Sequence, residues 1–152
     1  MRERFIFSEL EMERLPEVLA LVQSAFLEFV APDYSGEGIQ EFMRFIEPKA
    51  IKEMLAEDKL RIWTCDCEGE IVGVLAAVSG HIHLLFVSGQ HHRKGIARQL
   101  FNMMVEYYRP PEITVNSSPH ALEAYRKLGF ADTDTEQVVN GLRFTPMKCV
   151  ML

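Results

Sequence analysis

The sequence has few cysteines, and their arrangement argues against two classes of protein. Its 152 residues include three cysteines, with no C-x-x-C pair. Cys65, Cys67 and Cys149 therefore do not indicate a disulfide framework or a zinc finger. We expect three free thiols, no bound metal, and a reducing, cytoplasmic location.

Long apolar runs and an excess of positive charge are also lacking. No continuous apolar run approaches the roughly 18 residues that indicate a membrane span. The start, MRERFIFSELEMERLP, is charged throughout and has no apolar signal core. The formal charge is −6 with a pI near 5.4, whereas proteins that bind nucleic acid usually present a basic face. We therefore expect neither a membrane nor a nucleic acid as partner.

What is present fits one globular domain over residues 1–152, since 48% of the residues are hydrophobic. Pro16 suits the first turn of a helix, Ser35 can cap a second helix that Pro48 ends, and a short helical turn covers 51–55. A third long helix follows Gly95, and Pro119 begins another that ends at Leu128. Strand patterns cover 4–10, 60–66, 71–79, 81–87, 112–118, 137–139 and 142–152.

The predicted order is β-α-α-β-β-β-α-β-α-β-β. Short links between the three central strands indicate an antiparallel meander, and Asn140-Gly141 indicates a tight hairpin near the end. We therefore predict an α/β fold with a mixed, mostly antiparallel central sheet and helices on both faces.

One part of the chain lacks acidic residues altogether. No Asp or Glu occurs from Ile71 to Val105, although the chain holds 22 of them. Within that window lies a basic loop (residues 89–95, GQHHRKG), which leads into the long helix that carries Arg98. A helix start with open N–H groups attracts anions, so the local charge suggests a phosphate site. A simple structural cap is the alternative.

Two common phosphate motifs are missing. The sequence has no GxxxxGK followed by Ser or Thr, and no GxGxxG with an acidic residue about twenty positions later. Hydrolysis of ATP and binding of a dinucleotide therefore lose support.

Two stretches, LFVSGQHHRKGIARQLF and VNSSPHALEAYRKLGF, resemble the GNAT superfamily of acetyl-CoA-dependent N-acyltransferases. That family carries R/Q-x-x-G-x-G/A at the start of a helix, read here at 92–97 with His92 in place of Arg or Gln. It also carries A-x-x-x-Y-x-x-x-G-F, which matches Ala121, Tyr125, Gly129 and Phe130. The order of elements resembles that fold along essentially the whole chain.

The resemblance implies acetyl-CoA as acyl donor, held where a bulged fourth strand separates from the fifth. The pantetheine amides would pair with the fourth strand and the pyrophosphate would lie on the helix start. The implied donor-binding residues are Leu85, Phe86, Val87, His92, Arg93, Lys94, Gly95, Ile96, Ala97, Arg98 and Ser118. Ser118 stands where many members have Asn, and it could instead be only an N-cap.

The resemblance also implies catalytic roles. Tyr125 takes the position of the general acid that protonates the departing thiolate, and a phenol with pKa near 10 is protonated at pH 7. His81 lies six residues before Val87, the valine expected at the bulge, where some members place a glutamate base. His83 would share its face of the strand. The alternatives are a packing tyrosine, a solvent-exposed histidine, and deprotonation of the amine through water.

The acceptor is expected to be a primary amine of a small molecule or peptide. The loop after the first helix offers the acidic and polar side chains Glu28, Asp33, Tyr34 and Glu37, which could also be an ordinary solvated surface. The rival to an enzyme is a non-catalytic acyl-CoA sensor, which would keep the loop and lose the acid. The sequence is compatible with a homodimer.

Overall fold

The computed structural model describes residues 3–152. Its helices are α1 (Leu15–Ala25), α2 (Gly36–Phe45), α3 (Pro48–Ala56), α4 (Ile96–Tyr108) and α5 (Leu122–Leu128). Its strands are β1 (Phe5–Glu9), β2 (Arg61–Cys67), β3 (Glu70–Val78), β4 (His81–Val87), β5 (Glu112–Ser117), β6 (Ala131–Asp132), β7 (Gln137–Val139) and β8 (Leu142–Val150).

The strands form one twisted sheet in the order β1-β2-β3-β4-β5-β8-β6, and β7 adds a hairpin to β8. Only the β4–β5 pair is parallel; the other strand pairs of the described chain are antiparallel. A parallel pair needs a crossover, and α4 supplies it. The predicted mixed, mostly antiparallel sheet is confirmed.

Helices cover both faces of the sheet and create two cores. One core lies under α4 and α5 and includes Leu100, Met104 and Tyr125. The other lies under α1, α2 and α3 and includes Val18 and Ile51. β3 is buried on both faces over most of its length, as expected for a central strand that faces both cores.

Several predicted boundaries are wrong. The last helix begins at Leu122 rather than Pro119, because residues 118–121 form a turn in which Ala121 N–H donates to Ser118 O. Pro48 begins α3 instead of only ending α2, since proline is tolerated in a first helical turn. The two-residue strand β6 was not predicted, and a segment that short carries no periodic pattern.

The helical stretch that follows β1 is longer than the sequence analysis predicted. Met12–Asp33 runs through 22 residues, with a π turn at Phe26–Val30 and a 3₁₀ turn at Ala31–Asp33, and by length and composition alone it could span a membrane. In this fold its apolar side, including Leu15, Val18 and Val22, is buried on the sheet. The stretch is not a continuous apolar run, because charged residues such as Glu17 and Glu28 interrupt it, and burial on the sheet explains its apolar composition.

The predicted Asn140-Gly141 hairpin is confirmed, and it closes onto the start of α2. Val139 pairs with Leu142 across the turn. A Cβ atom on Gly38 would lie 2.2 Å from the Gly141 carbonyl oxygen, so the two backbones touch directly. Tyr34 Oη donates to the Arg143 carbonyl at 2.7 Å. These contacts hold the start of α2 and the loop before it against the β7–β8 hairpin.

Candidate functional site

The sheet opens between its two parallel strands. β4 and β5 pair only at His81–Thr114 and Ile82–Val115, and then separate. Beyond that point β4 keeps its pairing with β3, and β5 keeps its pairing with β8. Residues 84–87 of β4 and 116–117 of β5 thus border a strand cleft whose facing edges do not pair with each other. Such an edge can accept an extended ligand as an additional strand.

A bulge in β4 sets which side chains line the cleft. Ala76 pairs with Leu84 and Ala77 with Ile82, which leaves His83 as the extra residue. The expected bulge therefore exists, but at His83 rather than at Val87. It reverses the alternation, so Leu85 and Val87 pack on the core of α4 and α5, and Phe86 packs on the opposite side.

The basic loop ends in a left-handed turn. Arg93 has φ 63° and Gly95, which precedes the first residue of α4, has φ 80°. The first α4 backbone bond runs from Gln99 N to Gly95 O, so the N–H groups of residues 96–98 have no partner within the helix. No side chain of the described residues caps this end. The geometry suits a bound anion.

The cationic and imidazole side chains around the start of α4 differ in whether they already have protein partners. His92 Nε2 donates to the Val87 carbonyl at 2.9 Å. Lys94 forms an ion pair with Glu3, and Arg98 Nη2 donates to the Lys127 carbonyl at 2.6 Å. Arg93 is exposed and forms no ion pair within residues 3–152. Of the predicted cations, Arg93 is thus the one most available to a ligand.

Three predicted residues can contribute only through their backbone or by being small. Ile96 is 2% exposed and packs in the core, so only its N–H faces a ligand. Within residues 3–152, nothing lies within 4 Å of a Cβ atom built on Gly95, which leaves the turn open to an approaching group. Ala97, half-buried, adds little bulk beside it.

Tyr125 lies on α5, beneath the same core that receives Leu85 and Val87. Its side chain is 6% exposed and its ring packs edge-on against Phe130 at 5.4 Å. Burial raises the pKa of the phenol above its ordinary value near 10. The hydroxyl is therefore protonated at neutral pH and can donate a proton or a hydrogen bond.

His81 lies at the closed end of the strand cleft, on the other face of the sheet. Its Nδ1 forms a 2.7 Å hydrogen bond with Thr114 Oγ1. The His83 ring lies edge-on to it at 4.9 Å and stacks on Phe45 of α2. Burial lowers the pKa of both histidines, so His81 is neutral at pH 7 and can accept a proton.

The predicted acceptor residues fall into two places. Glu28 lies against Gly89 and lines a cavity of about 310 Å³ with Ser24 and Gln90. Asp33 and Tyr34 lie together beside Arg143, which donates to the Asp33 carbonyl at 2.9 Å.

Tyr34 differs from the two acidic residues near it in the sequence, Asp33 and Glu37, in exposure. Burial raises the pKa of Tyr34 to about 12, whereas the side chains of Asp33 and Glu37 are exposed.

Ser118 follows the end of β5. Its carbonyl accepts hydrogen bonds from Ser117 Oγ at 2.9 Å and from Ala121 N–H at 3.1 Å. The alternative that Ser118 is the N-cap of the next helix is wrong, because Ala121 holds that position and no side chain within the described chain caps it. Ser118 stays a predicted ligand of the donor.

Sequence reasoning missed an aromatic stack and the partner of His81. The Phe29 ring stacks on His120 at 5.3 Å and lies 4.9 Å from His92, so it bridges the loops that leave β4 and β5. Thr114 orients His81. The π turn that places Phe29 has no local sequence signal, and Thr114 is recognisable only once the β4–β5 register is known.

The sequence matches a known protein family and a bacterial relative. The sequence model described as "Acetyltransferase (GNAT) domain" matches residues 30–151. The chain is 27% identical over 105 residues to the uncharacterized N-acetyltransferase YafP of Escherichia coli K12, covering 69% of this chain and 67% of that protein.

Two solved structures share the fold. The PaiA N-acetyltransferase of Thermoplasma acidophilum, in complex with coenzyme A, has a TM-score of 0.79 at 15% identity, covering 97% of this chain and 99% of that one. The spermidine N-acetyltransferase of Vibrio cholerae, with CoA and spermine, has a TM-score of 0.64 at 16% identity, with 96% and 95% covered. From the match over residues 30–151, the chain belongs to the GNAT acetyltransferase family.

Proposed function

We propose that this protein transfers an acetyl group from acetyl-CoA to a primary amine by direct attack in a ternary complex. The observation that carries the proposal is the strand cleft, which opens at His81 and Ile82 and lies next to the uncapped start of α4. An extended donor with an anionic end matches both features. The structural relatives solved with coenzyme A are consistent with such a donor.

The donor is held mainly by backbone groups. The pantetheine amides pair with the open edge at Leu85, Phe86 and Val87, as an added strand. The pyrophosphate accepts hydrogen bonds from the N–H groups of residues 96–98. Because Lys94 and Arg98 already have protein partners, Arg93 supplies the main side-chain contact to an outer phosphate.

In the proposed reaction, the acid and the base act from opposite faces of the sheet. The amine nitrogen attacks the thioester carbonyl and forms the new C–N bond, the C–S bond breaks, and the sulfur leaves as a thiolate. Tyr125 gives that thiolate its proton from the side of α5. His81, or a water between it and the amine, takes the proton from the nitrogen on the opposite side. Tyr34 and Asp33 border the approach of the amine.

The first experiment separates an enzyme from a sensor. Acetyl-CoA at 100 times its Kd should stabilise the protein by about 2.7 kcal/mol, seen as a higher melting temperature. Thiol release should then be measured with a panel of amines, including polyamines, aminoglycosides, amino acids and peptides. Stabilisation without turnover of any amine favours the sensor, and no stabilisation at millimolar acetyl-CoA rejects both.

A second experiment tests the phosphate contact. Arg93→Glu should weaken binding of CoA strongly and binding of pantetheine little, because only CoA carries the phosphates. Arg44→Glu is the matched control, since Arg44 is an exposed arginine on α2, away from the basic loop. Equal losses for CoA and pantetheine would mean that Arg93 acts on the fold and not on phosphate.

A further inference from the structure

Three side chains that can ligate a metal meet beside the basic loop. Glu3 precedes β1, Cys67 ends β2, and His91 belongs to the basic loop. Glu3 Oε2 lies 3.2 Å from His91 Nε2 and 4.0 Å from Cys67 Sγ, and one donor atom from each residue lies within 4.8 Å of the others. We call these three residues the Glu3 cluster.

The donor set and its spacing match one class of ion. Carboxylate oxygen, thiolate sulfur and imidazole nitrogen together are the ligands of zinc, and carboxylate-only ions such as magnesium avoid sulfur. Zinc bond lengths of about 2.0–2.3 Å in a tetrahedron place neighbouring ligand atoms about 3.3–3.6 Å apart. Two observed separations, 3.2 and 4.0 Å, bracket that value, and the third lies within 4.8 Å, so side-chain movements of about 1 Å would bring the three atoms to it.

The contacts of Glu3 and the burial of Cys67 favour a role for both residues as metal ligands. Lys94 pairs with Oε1 of Glu3, which leaves Oε2 directed at His91 and Cys67. A hydrogen bond to the second oxygen of a ligating carboxylate is a common way to orient it. Cys67 is 8% exposed, so a bound ion would be partly shielded from water.

The orientation of the His91 ring decides which nitrogen can bind an ion, and Nε2 is the one that faces Glu3. Its Nδ1 atom is buried and has no hydrogen-bond partner among residues 3–152. The ring, 12% exposed, packs edge-on against Phe5 at 6.1 Å. An ion in the cluster would bind Nε2, so Nδ1, which points away from Glu3, would need a separate partner such as water. The protein atoms alone thus leave this imidazole incompletely satisfied.

We propose that the Glu3 cluster binds a zinc-type divalent cation, which ties the segment before β1 and the end of β2 to the basic loop. Three protein ligands leave a fourth position for water. The sequence analysis predicted no metal because the ligands lie far apart in the chain and form no C-x-x-C pattern. The proposal concerns this cluster alone and does not depend on the acetyl transfer.

The test uses untagged protein, stripped with a chelator and titrated with Co²⁺, whose thiolate complexes absorb in the near ultraviolet. We expect one Co²⁺ per chain, displaced by Zn²⁺, with a sulfur charge-transfer band and a rise in melting temperature with either metal. Cys67→Ser should remove the band. Cys149→Ser is the matched control, because Cys149 is also 8% exposed but lies outside the cluster, and it should keep the band.

Glu3→Gln keeps the test valid if a cysteine variant fails to fold. Glu3 has a side chain 40% exposed, and the amide keeps its shape while removing its charge. We expect binding to weaken at least tenfold, with the metal-free melting temperature changed little. Absence of the charge-transfer band in the unaltered protein, or equal binding in Cys67→Ser and Cys149→Ser, would overturn the proposal.

Discussion

The two faces of the sheet at the strand cleft differ in how they hold a titratable group. On the α5 face, Tyr125 is almost fully buried among apolar side chains, with its ring against Phe130. On the α2 face, His81 is half-buried and hydrogen-bonded to Thr114, with a second imidazole beside it. One face is a dry core and the other is a small polar cluster.

Burial acts on both faces in the same physical sense. Removal from water disfavours the charged form, so it raises the pKa of the Tyr125 phenol and lowers the pKa of the His81 imidazole. Each group is therefore neutral at pH 7, one able to give a proton and the other able to take one. Burial alone thus leaves a group able to donate a proton on one face and a group able to accept one on the other.

Tyr125→Phe should produce the largest effect. It removes only the hydroxyl, so the core and the affinity for CoA should stay nearly unchanged. If the phenol protonates the thiolate, kcat should fall by about 10²–10⁴-fold with little change in KM for acetyl-CoA. Steady-state kinetics with the best amine of the panel would measure this. A decrease of less than about threefold, with chemistry rate-limiting, would show that Tyr125 is a packing residue.

His81→Ala should have the next largest effect, on the opposite face. We expect kcat/KM to fall by about tenfold to a hundredfold, near the lower end for a general base, since water can substitute. In the unaltered protein the acidic limb of the pH–rate profile should lie below pH 6.5, because burial lowers the pKa of His81. The variant should lose that limb.

His83→Ala is the control for that experiment. It lies on the same strand next to His81, yet it lacks the bond to Thr114. We expect it to keep the acidic limb of the pH–rate profile. If both variants, or neither, lose the limb, His81 does not act as a distinct base.

Gly38→Ala should lower stability by about 1–3 kcal/mol, as overpacking does, because its Cβ would collide with the Gly141 carbonyl at 2.2 Å. The contact holds α2, and α2 carries the Phe45 ring that stacks on His83. Gly36→Ala, in the same helix with open space around it, should be neutral or stabilising. Urea unfolding of both variants measures the difference. Equal free energies of unfolding would show that the contact between Gly38 and Gly141 can accommodate a methyl group without loss of stability.

The smallest expected effect is on the pH dependence of stability. The histidines on one face should affect stability at acidic pH, and the tyrosine on the other face at alkaline pH. The lowered pKa values of His81 and His83 mean that the unfolded chain binds protons more readily, so stability falls as pH drops below about 6.5. The raised pKa of Tyr125 means that stability falls only as pH rises above about 10. Melting temperatures from pH 5 to 11 would measure both trends, and replacing His81 and His83 by Gln should flatten only the acidic one.

Local patterns were sufficient for most of the fold. The strand-like composition between two short links predicted β4 at its observed bounds, and the Ser35 cap is confirmed by its 3.2 Å hydrogen bond from Gly38 N. The turn chemistry of Asn140-Gly141 predicted the last hairpin. These features depend on neighbouring residues, whose preferences act within a few positions of the chain.

Long-range register decided the rest. The bulge at His83 changes which residues of β4 face α5, and no local pattern separates a bulged strand from a regular one. The ion pair of Lys94 with Glu3 and the hydrogen bond from Arg98 to the Lys127 carbonyl also join segments that are far apart in the chain. Hence the sequence predicted a basic loop, and tertiary contacts decided which of its cations remains available.

The amino-acid sequence alone therefore determined the element order apart from α3 and β6, the acid-free window and the motif residues around Gly95 and Tyr125. The tertiary structure alone decided that β4 and β5 part after Ile82, that Tyr125 and His81 lie on opposite faces, and that Glu3, Cys67 and His91 meet. The physical reason is that turn, cap and periodicity preferences are local, whereas burial, register and ion pairing depend on which distant segments pack together.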